Sequence, residues 1–251
     1  MNKNKSLKVL ELFSGSECIS NEFRKRGCEC FTIDWDESFP SSMHCDIGKL
    51  QIEDLPEEFR HPDVVWIAPD CTTYSLAAIS KHRKKNKETG NLDPISDYAR
   101  QCDEINQHVL ELLKELNPKV WWIENPRACL QNMTWMKPYD KYKHLITYCK
   151  YMTDVPVEQR RMKPTNLWTN IPNPALLPSC KNGDDCHPYS PRGTRTAGTQ
   201  AIKGHKKRSE YPHQLCEAIV DITLDYIKEE MRFVRTTKCA FTPERNWKRL
   251  I

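Results

Sequence analysis

No apolar run in the 251 residues approaches the roughly eighteen that a membrane helix needs, so a helical bilayer span is excluded. Neither sign of charge dominates. The 38 Lys and Arg against 34 Asp and Glu leave +4, too little to argue a nucleic-acid partner from net charge, so placement of charge has to carry that question. Internal repeats are missing, which excludes solenoid and propeller architectures. The opening Met1–Lys8 is polar and lysine-rich and does not read as a secretory leader. The 12 cysteines are therefore expected as free thiols in a reducing cytoplasm rather than as a disulfide framework. Cys149, Cys180, Cys186 and His187 are donor types that zinc takes. Five residues separate Cys180 from Cys186, however, which is no standard ligand pair, and no metal site is expected.

Hydrophobic residues make up 38% of the chain, enough for one core with a small lobe at most. Lys8–Phe13 is a short apolar run that ends in Ser14-Gly15-Ser16, a strand entering a tight turn. A helix is expected over Ser20–Lys25 and a second strand over Cys28–Ile33, ending at Asp34-Trp35-Asp36. Val64–Ala68 reads as a strand stopped by Pro69-Asp70-Cys71. Thr72–Pro94 is a long polar loop containing the basic run Lys81–Lys87. Helical spacing of Ile105, Val109, Leu112 and Leu113 predicts a helix over Ile95–Leu116, and Val120–Ile123 is a further strand ended by Glu124-Asn125-Pro126. Residues 171–208 lose periodicity and fill with Pro, Gly, Asn, Ser and basic residues. A helix returns over Tyr211–Met231, followed by a basic tail, 232–251.

Strands alternating with helices imply right-handed crossovers and a mostly parallel sheet covered on both faces. Ligands in such sheets bind beyond the carboxyl ends of the strands. Phe13-Ser-Gly, Asp34, Pro69-Asp-Cys71 and Glu124-Asn-Pro all fall at predicted strand ends, so one rim collects them. Gly15 gives that turn permissive dihedrals, and an acidic residue at Asp34 is where ribose hydroxyls are gripped in nucleotide-binding sheets. The plainer readings are an ordinary strand–helix turn and a helix cap. Cys71, at a turn before a polar loop, is placed as a nucleophile or as a buried structural thiol. Glu124, ending a very apolar strand, is a proton donor held neutral by desolvation or a capping carboxylate.

The pieces together resemble the cytosine-C5 DNA methyltransferase family, in the family's motif order over about 7–170 and 208–228. Glu11-Leu-Phe13-Ser14-Gly15-Ser16 resembles the first, cofactor-binding motif, and Asp34-Trp35 the pair that holds ribose and adenine. Cys45-Asp46-Ile47 resembles Gly-Asp-Ile at the adenine amino group. Ala68-Pro69-Asp70-Cys71-Thr72-Thr73-Tyr74-Ser75 is similar to the nucleophile motif Gly-Pro-Pro-Cys-Gln-Pro-Phe-Ser. Glu124-Asn125-Pro126 is similar to Glu-Asn-Val, Gln159-Arg160-Arg161 to the later Gln-x-Arg-x-Arg motif, and Tyr211-Pro212 stands at the last motif. Glu17 and Cys18 replace the first motif's paired glycines, Asp70 its neighbour's second proline, Thr72 a glutamine, and Lys163 the later motif's second arginine.

The resemblance implies an α/β, Rossmann-like methyltransferase fold with catalytic domain 1–170, a small loop-rich target-recognition region 171–208, and a helix 209–231 returning to the domain. It implies S-adenosylmethionine as cofactor, bound by Phe13, Ser14, Gly15, Ser16, Asp34, Trp35, Asp46, Ile47 and Pro69. Cys71, Glu124 and Arg161 would be catalytic. Double-stranded DNA is the implied partner, met by Ser75, Lys81, Arg83, Lys84, Lys85, Lys206 and Lys207 through phosphate contacts. A monomeric enzyme in a bacterial or phage-infected cytoplasm, as in restriction-modification, is the expectation. Two alternatives stay open: a tRNA cytosine-C5 methyltransferase, and an inactive nucleic-acid-binding relative. Asp70 beside the thiol is expected to raise its pKa and oppose activation unless its carboxylate points away.

Overall fold

The computed structural model of the chain describes residues 6–191, 202 and 204–240, and the side chains of all of these except 205, 206 and 234–240. The first half runs β1 (Lys8–Leu12), α1 (Cys18–Lys25), β2 (Glu29–Asp34), β3 (Met43–His44), β4 (Val64–Ile67), α2 (Ile79–His82), β5 (Arg83–Lys85) and β6 (Leu92–Pro94). The second half runs α3 (Asp97–Leu116), β7 (Val120–Pro126), β8 (Lys143–Thr147), β9 (Pro164–Thr169), α4 (His205–Ser209) and α5 (His213–Ala240).

Seven strands form one sheet in the order β3-β2-β1-β4-β7-β9-β8. The pairings among β3, β2, β1, β4 and β7 are all parallel, and β9 runs antiparallel between β7 and β8. The expected mostly parallel α/β sheet is present. Strand order reverses between β1 and β4, because the chain builds outward from β1 to β3 and then returns to start β4 on the other side. That is where a crevice opens at the carboxyl ends of a doubly wound sheet.

Alternation along the strands divides the core. Leu10, Leu12, Val65, Ile67 and Ile123 face α3, where Val109, Leu112, Leu113 and Leu116 are buried. Val9, Val64, Trp66, Val120 and Trp122 face α1 and α5, meeting Ile19, Phe23, Leu215, Ile219 and Val220. Both faces of β4 are fully buried, which is why its sequence is a continuous apolar run without alternation. Trp122 is a core residue whose indole N–H donates to Thr223 Oγ1 at 2.9 Å, while Trp121 is half-buried against Tyr139 and Tyr142.

α3 begins one or two residues later than its apolar period suggests. Ser96 is the cap, its Oγ accepting from Ala99 N at 3.1 Å, and Asn117 closes the helix in the left-handed region at φ 43°. The stretch 72–94 is not one loop. It holds a turn at 72–74, the short α2, and a two-stranded antiparallel ribbon, β5–β6. The final helix continues to Ala240, past the expected end at 231. Of the region 171–208, residues 171–191 carry no helix or strand, and α4 begins at His205. Residues 241–251 of the basic tail lie outside the described residues.

Candidate active site

The carboxyl rim of the sheet carries the strand ends that the sequence pointed to. Cys71 caps the turn at 72–74 just beyond β4, and Glu124 sits near the end of β7, the strand paired with β4. Asn125 joins the two. It is fully buried, and its Nδ2 donates to the carbonyl of Pro69 at 3.1 Å, while Cys129 N donates to Tyr74 O at 3.0 Å. The Asn of Glu-Asn-Pro therefore ties β7 to the Cys71 loop.

The Cys71 thiol is pushed up to about 11, first by burial and next by the Glu124 carboxylate, with Lys163 pulling it down and Asp70 adding only a smaller upward push. The expected upward push from Asp70 is present but is the weaker of the two carboxylate effects. Asp70 is exposed and turned into its own turn, its Oδ1 accepting from Thr72 N at 2.8 Å and Thr72 Oγ1 at 2.7 Å, and Oδ2 from the Tyr98 hydroxyl. The carboxylate that matters for Cys71 is Glu124.

Glu124 is 5% exposed. Burial holds its carboxyl above the usual range; Lys163 and the hydroxyls of Tyr211 and Tyr148 oppose this. Tyr148 donates to Oε1 at 3.3 Å and Tyr211 to Oε2 at 3.2 Å. A buried carboxyl that two phenols hold in one orientation is fit to present a proton to a ring nitrogen.

Lys163 is a site residue that sequence reasoning passed over. Its field acts on both Cys71 and Glu124, its Nζ donates to Tyr148 OH at 3.4 Å, and it lies over the Tyr148 ring, 4.7 Å from the centroid. The available signal was its place at the second arginine of the later motif, which was read as a loss. Arg161 also lies over the Tyr148 ring, its guanidinium carbon 5.6 Å from the centroid. Its guanidinium donates to the backbone carbonyls of Lys207 and Glu210, anchoring the segment that leads into α5.

The other rim residues surround the end of β1 and β2. Phe13 and Gly15 both take positive φ, 59° and 49°, and a Cβ built on Gly15 would meet nothing within 4 Å, so open space lies above that turn. Ser14 is buried and Ser16 exposed. Asp34, 6% exposed, accepts from Gly15 N at 2.8 Å and Asp36 N at 2.9 Å, so it fixes the turn; each carboxylate oxygen keeps further accepting capacity. Trp35 is 72% exposed, a large apolar ring standing just beyond the end of β2. Asp46 is exposed and caps the turn at 47–49 through Gly48 N at 3.0 Å. Pro69 is buried beneath the Cys71 loop. Ile47, expected beside the adenine, is 3% exposed and packs its side chain in the core under α3.

Glu17 stands where a glycine was expected and takes glycine's conformation, φ 55°, at the start of α1. A side chain there costs roughly 1–2 kcal/mol. Offsetting contacts come from Arg24, whose Nη1 donates to Oε2 at 2.8 Å, and from the Thr32 hydroxyl.

Among the basic residues assigned to DNA, Arg83 is a correction. Its side chain is fully buried, its two guanidinium nitrogens donate to the two Asp103 oxygens at 2.9 and 2.7 Å, and Nε donates to Thr73 O. It also lies over the Tyr74 ring at 4.2 Å, so every direction in which it could reach a phosphate is taken. Lys81, Lys84, Lys85 and Lys207 are exposed and Ser75 is half-buried. Lys206 lies outside the described side chains.

At the far edge of the sheet the fold brings together four donors that lie apart in sequence. Cys149, Cys180, Cys186 and His187, too irregularly spaced to suggest a metal, have their donor atoms within 4.8 Å of one another.

Fold and rim define a doubly covered, mostly parallel α/β domain with a thiol and a desolvated carboxyl on neighbouring strand ends, β4 and β7, beside its topological switch point. No family model matches the chain, and no curated protein matches it in sequence. Among solved structures, it is similar to the Dnmt2 methyltransferase of S. pombe (17% identity, TM-score 0.43), covering 64% of this chain and 50% of that one. It is also similar to a putative DNA modification methyltransferase encoded within an E. coli prophage (16%, 0.46, covering 69% and 51%) and to the Entamoeba histolytica methyltransferase EhMeth (15%, 0.46, covering 71% and 58%). The chain thus spans only about half the length of these structures. The functional reading rests on the residues at the rim.

Proposed function

We propose that this chain transfers a methyl group from S-adenosylmethionine to C5 of cytosine in double-stranded DNA. The observation that carries the reading is the pairing of Cys71 with a desolvated Glu124 on neighbouring strand ends. A binding module has no use for that pair.

The rim residues fit the cofactor. The open space above Gly15, the buried Asp34 carboxylate and the exposed Trp35 ring offer backbone amides, an acceptor for ribose hydroxyls and an apolar face for a base. When bound, S-adenosylmethionine supplies an electrophilic methyl group.

The chain's own residues do the activation. C5 of cytosine is a poor nucleophile. Addition of the Cys71 thiolate to C6, with the Glu124 carboxyl hydrogen-bonding or protonating N3, turns C5 into an enamine-like carbon. After substitution at C5 its proton leaves to a base, water being the simplest, and Cys71 departs by elimination. A ring inside a stacked duplex cannot be reached this way, so the base must be flipped into the crevice at a cost of a few kcal/mol.

The thiolate is made locally. Lys163 favours it, and neutralising Glu124 removes its largest charge opponent, so the same proton that readies N3 also lowers the Cys71 pKa. Arg161 supports the site by holding the segment before Tyr211, one of the two phenols on Glu124. Labelled methyl transfer from S-adenosylmethionine to duplex DNA, measured beside tRNA, tests the assignment. Label in 5-methylcytosine of DNA supports it; label in tRNA alone assigns the RNA substrate, and label in neither refutes it.

A further inference from the structure

Three thiols and an imidazole converge outside the crevice. Cys149 lies just after β8 at the sheet edge, and Cys180, Cys186 and His187 come from the segment 171–191. Three of the four are buried. Cys149 Sγ to Cys180 Sγ is 3.2 Å and Cys149 Sγ to Cys186 Sγ 3.8 Å; His187 Nδ1 is 3.6 Å from Cys180 Sγ and 3.3 Å from Cys186 Sγ. A tetrahedral zinc with Zn–S near 2.3 Å and Zn–N near 2.0–2.1 Å places sulfurs about 3.8 Å apart and sulfur and nitrogen about 3.5 Å apart. Three of these edges agree within about 0.3 Å, and the Cys149–Cys180 edge is the short one. That edge is still far beyond a disulfide, about 2.05 Å.

We propose that Cys149, Cys180, Cys186 and His187 bind one structural Zn²⁺. Three sulfurs and one nitrogen are a closed tetrahedral set with no position left for water, the pattern of structural rather than catalytic zinc. Three thiolates and neutral imidazole around the ion leave one net negative charge, and Lys150 is the neighbouring cation that offsets it. The site has a reason to exist. Segment 171–191 has no helix or strand to satisfy its backbone, and a metal joining it to β8 would supply order that so small a region cannot get from a core of its own. One backbone bond already runs the same way, Cys180 N donating to Thr147 Oγ1 at 3.1 Å. The site also touches the crevice at one remove, since Cys149 follows Tyr148, a partner of Glu124.

The test is metal content of the full chain purified without chelator. About one zinc per chain, released by a thiol-modifying mercurial, is the expected result. Cobalt substitution of the wild-type chain should give visible ligand-field bands of a tetrahedral thiolate site. Cys186→Ser and His187→Ala should lose most of the bound metal, while Cys45→Ser keeps it. Because those variants could unfold, the cobalt spectrum of the wild-type chain stands as the deciding measurement. Metal at background level, iron in place of zinc, a Cys149–Cys180 disulfide in peptide mass spectra, or an octahedral cobalt spectrum would each overturn the proposal.

Discussion

Cys71 is a thiol whose surroundings hold it protonated. With its pKa pushed up to about 11 by burial and by Glu124, little thiolate exists in the free protein near neutrality. Alkylation of Cys71 by iodoacetamide should therefore rise about tenfold per pH unit between roughly pH 7 and 9. Lys163→Met should slow it at every pH, because the cation that lowers the pKa is gone. A rate independent of pH over that window would contradict the assignment. Glu124→Gln keeps the shape and loses the transferable proton, and should lower methyl transfer about 10²- to 10⁴-fold while cofactor binding persists. At this scale the sequence was informative about which residue types meet at the rim and silent on where they point. It placed Cys71 and Glu124 correctly by strand ends, yet it could not show that Asp70 turns into its own loop. It also read Lys163 as a lost arginine when the retained charge is what reaches the site.

Two carboxylates, Glu11 and Asp103, show how elements are tied together. Glu11 on β1 accepts from Ser20 N on α1 at 2.9 Å, and burial, the dominant cause, raises its pKa from 4.5 to about 7. A folded pKa above the unfolded one means the folded state binds more protons between the two values. The stability from this group is then complete below about pH 4.5 and is lost as pH rises toward about 7. Glu11→Gln should flatten the stability profile over that window in denaturant titrations; an unchanged slope would count against the shift. Arg83 and Asp103 join β5 to α3 through a buried bidentate pair, with Tyr74 OH also donating to Asp103 at 2.7 Å. Arg83→Ala should lower the unfolding free energy by a few kcal/mol in denaturant titrations, because the buried guanidinium's bonds to Asp103 and Thr73 and its packing on the Tyr74 ring are lost together. The sequence could not distinguish Arg83 from its lysine neighbours, since a basic run gives no sign of which member turns inward. β8 and β9 escaped for a related reason. Their short, mixed segments pair antiparallel at the edge, where long-range register rather than local periodicity decides.

For the molecule as a whole, the basic surface and the closed core divide the labour. Lys84 and Lys85 are exposed on the β5–β6 ribbon that follows the nucleophile loop. Replacing either by Ala should weaken duplex binding for all sequences and reduce the slope of log K against log salt by about one. Arg83→Ala should leave that slope unchanged. The mostly parallel sheet, its two covered faces and the rim of strand ends were legible because strand ends and helix periods are local signals, whereas the strand order that sets the switch point came only from the fold. The cysteine cluster was not, because Cys149 lies 31 residues before Cys180 in sequence and only the fold brings them together. The central claim is covalent catalysis by Cys71, and its most direct measurement uses duplex DNA carrying 5-fluorocytosine with S-adenosylmethionine. Fluorine cannot leave as the C5 proton does, so the Cys71–C6 bond should persist as a denaturant-stable complex that Cys71→Ser abolishes. No trapped complex from wild-type chain that still binds the cofactor, or an equal complex from Cys71→Ser, would contradict it.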